Sequence, residues 1–230
     1  DTSTCLAKPK GQYVTKTTDM QKTVLWGNVV RCLLICSVPA ALFYVITVWI
    51  MSMSGFSYIE MTRDPAQQTD TSSFLGFLSN IGSWLWVSGA AFCFFRIATD
   101  NFPVGDTHRT LLILIGGFSF FLAVDDFFLI HDRYIAEGII VPLYAIFIGY
   151  VLKRFRAKIF EIDGAAFLLA MTSLAMSVLV DAVQEILPID YGLGQALEEG
   201  FKFVGIATWT YFCFQVAAFR SDASAAQTGT

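Results

Sequence analysis

The chain is poor in charge. Only 15% of its 230 residues are Asp, Glu, Lys or Arg, against 55% hydrophobic, and the mean hydropathy is +0.59. A water-soluble domain of this length rarely combines such values. Histidine is nearly missing as well, with only His108 and His131. No CxxC pair occurs among Cys5, Cys32, Cys36, Cys93 and Cys213. Cys32 and Cys36 stand one helical turn apart, which is poor disulfide geometry, and the five thiols read as small buried hydrophobes. No basic stripe with interleaved aromatics is present, which excludes nucleic acid as a partner. No internal repeat is evident.

What the chain has in abundance is long apolar sequence. Runs of about 18 or more apolar residues recur, the pattern of membrane-spanning helices. The expectation is an all-α polytopic membrane bundle of six transmembrane helices. They fall at about Val24–Met53, Phe74–Ile97, Thr110–His131, Ile135–Leu152, Gly164–Leu187 and Gly194–Phe219. Pro39 is expected to kink the first. The second carries Gly76, Ser79, Gly82, Ser83, Gly89 and Ala90, small residues that permit close helix contact. Residues 1–22 form a polar tail without an apolar targeting core, residues 23–219 the bundle, and residues 220–230 a tail of disordered composition.

Lysine and arginine set the orientation. Lys8, Lys10, Lys16, Lys22, Arg96, Arg109, Lys153, Arg154, Arg156, Lys158 and Arg220 fall on one side of the expected bundle, and only Arg63 and Arg133 on the other. Both termini are therefore expected in the cytoplasm, which argues against a cleaved signal peptide. His108 falls in a cytoplasmic loop and receives no role.

The few charges inside the apolar segments are not scattered. The stretch VDDFFLIHD, Val124–Asp132, places Asp125, Asp126, His131 and Asp132 within nine residues at the outer end of the third helix. Ionisable groups in such a segment are costly and mark a functional site by default. The expected topology brings Asp181 and Glu185 of the fifth helix to the same outer third. Glu198, Glu199 and Lys202 of the sixth join them, as do Asn80 and Ser83 of the second. Asp181 and Glu185 share a face at i,i+4, and Gln195, Glu198, Glu199 and Lys202 form a stripe. Asp126 points about a quarter turn away from Asp125. A plain salt bridge from Lys202 to Glu198 is the structural alternative for that pair.

Six acids thus face roughly one lysine. Carboxylates in a low dielectric protonate or hold a cation. Asp125, Asp126, His131, Asp181, Glu185, Glu198 and Glu199 are the expected ligands. Oxygen donors with one imidazole suit a divalent ion: calcium, manganese, iron(II) or, less well, zinc. The inner halves of these helices carry no acids, which disfavours a continuous pore.

Two short resemblances bear on this reading. Lys202 in the last helix, with acids in the third, superficially resembles retinal proteins, but six helices and an outer lysine depart from that pattern. Ser79–Asn80, the Gly116–Ser119 region followed by Asp126, and polar groups opening the last helix loosely resemble the alkaline-ceramidase group of intramembrane metal hydrolases. That resemblance implies a zinc site with an HxxxH in the last helix, where this chain reads EEGFK.

The leading expectation is a divalent-metal or cation-binding membrane protein. The runner-up is an intramembrane metal-dependent hydrolase or oxidase of a lipid-like substrate, with His131 or Glu199 as base. An accessory subunit in a larger membrane complex, with the acids as interhelical partners, and a metal-free proton relay are further alternatives. Membrane lipid and other membrane subunits are the partners implied.

Overall fold

The computed structural model describes residues 30, 34, 38–57, 65–72, 74, 76–184 and 191–220. They fall into two compact units, one ending at residue 75 and the other beginning at residue 76. Among the described residues every regular element is helical.

The first unit contains α1 (Val38–Met53) and a short α2 (Pro65–Gln68). Pro39 lies in the first turn of α1, where its missing N–H has no helical acceptor to lose. The upstream stretch in which a proline kink was expected lies largely outside the described residues. At the other end Gly55 takes φ 94, a value that favours glycine. Its N–H donates to Ser52 O at 3.1 Å and the Phe56 N–H to Met51 O at 3.1 Å, the paired bonds of a Schellman cap.

The second unit holds α3 (Phe77–Thr99), α4 (Thr107–Phe128), the single turn α5 (Ile130–Arg133), α6 (Glu137–Gln184) and α7 (Tyr191–Ala218). Asp106 caps α4, its carboxylate accepting the Arg109 N–H at 2.7 Å. The 48 residues of α6 are two helices, interrupted by non-helical backbone at Phe155 and Asp163. Asp163 Oδ1 accepts the Ala166 N–H at 2.9 Å, so it caps the second arm. A straight helix of that length would run about 72 Å, yet Phe147 of its first arm stacks on Phe118 at 4.8 Å and Phe167 of its second lies 6.0 Å from Trp209, which itself lies 6.0 Å from Phe118. The two arms therefore fold back on each other. The basic segment Lys153–Lys158, expected as a loop, is itself helical apart from Phe155, so the reversal sits later, at Asp163.

One core joins the second unit. Trp209, Phe212, Cys213 and Val216 of α7 meet Cys93 of α3, Leu111, Leu112 and Ile115 of α4, and Val151, Ile159, Phe167 and Ala170 of both α6 arms. Phe118 stacks on Phe147 at 4.8 Å and lies edge-on to Trp209 at 6.0 Å. The small residues of α3 act where expected: Gly82, Gly89 and Ala90 are buried, and a Cβ on Gly89 would stand 3.4 Å from Cys213 Sγ. Gly76 does something else, taking φ 66 just before the helix.

Among the described residues three helices are long and apolar enough to cross a membrane: Phe77–Thr99, Thr107–Phe128 and Glu137–Val183. At 28 residues α7 is long enough too, but Glu198, Glu199 and Lys202 make it more polar. Large apolar side chains face outward along these elements, among them Trp84, Phe95, Ile146 and Leu169.

Candidate functional site

The expected third helix ran on to His131. Instead α4 stops at Phe128, and Leu129 takes the left-handed conformation, φ 53 and ψ 45. A leucine pays about 1–2 kcal/mol for that backbone. The reversal turns the next residues back toward the helix. The His131 N–H donates to Asp125 Oδ1 at 2.9 Å, and His131 Nδ1 lies 3.0 Å from Asp125 Oδ2. A hydrogen bond to a carboxylate contributes about 1.5–3 kcal/mol, enough to offset the strain at Leu129.

Asp125 is almost fully buried, with 3% of its surface exposed. Its second oxygen also accepts the Tyr144 hydroxyl proton at 2.7 Å. This carboxylate is therefore tied to the first arm of α6 as well as to the turn after its own helix.

Asp126 faces the other way. Its Oδ2 accepts the Trp86 indole N–H of α3 at 3.0 Å, and its Oδ1 is paired with Lys202 Nζ of α7 at 2.9 Å. Lys202 thus reaches across to α4 for this ion pair. Glu198, one turn before Lys202 on α7, accepts the Gln195 side-chain N–H at 3.2 Å. The charged neighbours of Glu198 are Asp181, Glu199, Lys202 and Glu137. Asp126, Glu199 and Lys202 also line a crevice between α3 and α7 with Ser79, Gly82 and Phe203. Its volume is about 10 Å³, near the size that admits one water molecule.

The site is therefore two adjoining clusters rather than one ring of ligands. Asp125, His131 and Tyr144 make the first. Asp126, Trp86, Lys202 and Glu199 make the second, with Glu198, Asp181 and Glu137 beside it. Among the described residues no three His, Cys, Asp or Glu side chains are grouped closely enough to hold a metal ion. Glu185 lies outside the described residues, and of Asp132 only the backbone is described. Ser79 lines the crevice, and the expected Asn80 and Ser83 do not.

Sequence reasoning missed Trp86, Tyr144 and Glu137. The first two carried a usable signal: a buried indole N–H or phenol O–H needs an acceptor, and carboxylates were the acceptors on hand. Trp84 and Trp86 stand two residues apart on one apolar helix, and nothing in the sequence tells them apart. The structure separates them, with Trp84 69% exposed and Trp86 only 3%.

At the opposite end of α4, His108 is buried against the rings of Phe102 and Phe219. It lies on the first turn of the helix, not in the loop where it was expected.

A family model described as a domain of unknown function, DUF8692, matches residues 32–216, and the chain belongs to that family. No curated protein and no solved structure matches the chain.

Proposed function

We propose that this member of the DUF8692 family is a polytopic membrane protein of six spans with both termini cytoplasmic, and that it binds a divalent cation in the carboxylate-rich layer shared by α3, α4, α6 and α7. The observation that carries the reading is the crevice between α3 and α7, where the carboxylates of Asp126 and Glu199 stand with Lys202 and Ser79. Two carboxylates there share one lysine, and Glu198 is the next residue along α7. A divalent ion relieves repulsion between such carboxylates. Oxygen donors in this number favour calcium or manganese; iron(II) and zinc would draw on His131 as well.

The place of His131 supports the same reading. Its Nδ1 lies 3.0 Å from Asp125 Oδ2, which puts an imidazole beside the carboxylates at this end of α4. That contact also favours the second reading, an intramembrane metal-dependent hydrolase or oxidase with His131 or Glu199 as base. An open coordination position beside a lipid-accessible cleft separates the two.

Elemental analysis of the purified full chain is the test. The expected result is a bound divalent ion in wild type and its loss in Asp181→Asn/Glu198→Gln and in Asp126→Ala. Wild-type protein without metal, and without thermal stabilisation by added calcium or manganese, overturns the proposal.

A further inference from the structure

The densest positive charge in the chain lies far along α6 from its acidic ends. Lys153, Arg154 and Arg156, together with Ala157 and Phe160, line an open groove of about 510 Å³. That volume is within the range of small-molecule sites. All three cations are exposed, and no carboxylate is among the lining residues. The helix is irregular at Phe155, φ −117 and ψ 16, within the basic run.

Aromatic rings hold the guanidinium groups in place. Arg154 Cζ lies 5.5 Å from the Phe155 ring centre, and Arg156 Cζ 6.0 Å from that of Phe160. Lys158 belongs elsewhere: it pairs with Glu161 at 3.2 Å and lies 4.3 Å from the Phe219 ring centre. Glu161 is thereby engaged by Lys158 and is not among the residues lining the groove. Three positive charges next to a half-exposed phenyl ring form a surface that is cationic at one edge and apolar at the other.

We infer that this groove binds the headgroup of an anionic phospholipid, the phosphate between Lys153, Arg154 and Arg156 and the glycerol end against Ala157 and Phe160. Basic pockets at the ends of membrane helices recognise such headgroups by charge, and arginine forks match phosphate oxygens. The inference rests on the membrane-spanning reading and is independent of the proposed cation site.

The test uses the full chain in detergent micelles, with native mass spectrometry and thermal shift on titration of phosphatidylglycerol or phosphatidylcholine. Wild type is expected to prefer phosphatidylglycerol. Removing each cation should weaken that preference about fivefold, and Lys153→Gln/Arg154→Gln/Arg156→Gln on the order of a hundredfold. Arg109→Gln, an exposed cation on α4, should leave it unchanged. Should the triple variant fail to fold, Arg156→Gln alone decides, by the same fivefold loss. Equal binding of the two lipids by wild type, full retention in the variants, or displacement by inorganic phosphate overturns the inference. Carbonate extraction of the chain from membranes scores the spanning reading separately, so the two failures are distinguishable.

Discussion

Asp125 and Asp126 are adjacent in α4 and serve different helices: Asp125 Oδ2 accepts from Tyr144 of α6 at 2.7 Å, while Asp126 Oδ1 pairs with Lys202 of α7 at 2.9 Å. Successive residues on a helix point about 100° apart, so one sequence pair can tie α4 to two neighbours at once. The arrangement makes each carboxylate separately testable.

Lys202→Met should destabilise the fold by about 1–3 kcal/mol, because it strands the Asp126 carboxylate without its ion partner. The side chains are 27% and 11% exposed, so solvent moderates the loss. Adding Asp126→Asn should recover part of it. Denaturant unfolding of the two single variants and the double variant in detergent measures the coupling, and additive losses would contradict the pairing.

Tyr144→Phe and Trp86→Phe each remove one donor and keep a ring. Each leaves a carboxylate, buried for Asp125 and partly buried for Asp126, short of a hydrogen bond, at a cost of about 1–3 kcal/mol. Infrared spectroscopy with Asp125→Asn and Asp126→Asn as references gives the sharper readout. The Tyr144 change should shift the carboxylate band belonging to Asp125, and the Trp86 change the band belonging to Asp126.

Gly205→Ala should cost about 1–3 kcal/mol through overpacking. A Cβ there would stand 2.7 Å from Leu174 Cγ and 3.0 Å from the Leu174 backbone nitrogen. Trimming Leu174 to Ala relieves the side-chain clash but not the backbone one, so the double variant should stay below Leu174→Ala alone in melting temperature. Gly117→Ala, with nothing within 4 Å of the added carbon, is the control expected to melt at or above wild type, since alanine is the better helix former.

Leu129 holds the left-handed turn that returns His131 to Asp125. Leu129→Gly removes the backbone strain and should be within about 1 kcal/mol of wild type, since glycine's unfolded-state entropy offsets the gain. Leu129→Val, β-branched at a positive φ, should lose about 1–2 kcal/mol. Equal melting temperatures for the two variants would contradict the reversal.

The character of the chain was legible locally. Apolar run length announced the long helices, and Asp106 and Asp163 announce helix starts by residue type alone. Helical spacing told that Asp125 and Asp126 point apart. The small residues Gly82, Gly89 and Ala90 marked a close-contact face. These features depend on neighbours within a few residues, which a sequence displays directly.

Partner choice was not legible. Nothing in the local pattern says that Lys202 pairs with Asp126 across α4, that Trp86 is buried while Trp84 is exposed, or that Tyr144 reaches Asp125. On helices that are apolar nearly all round, the faces toward the core and toward the outside have the same composition. The rotation of each helix about its axis is then set by packing against its neighbours. The left-handed Leu129 shows the same division. A non-glycine residue adopts that backbone only because His131 and Asp125 meet once the turn is made. Sequence alone determined which residues are costly to bury, and the tertiary structure decided which of them meet, because meeting depends on interhelical rotation and not on spacing along one helix.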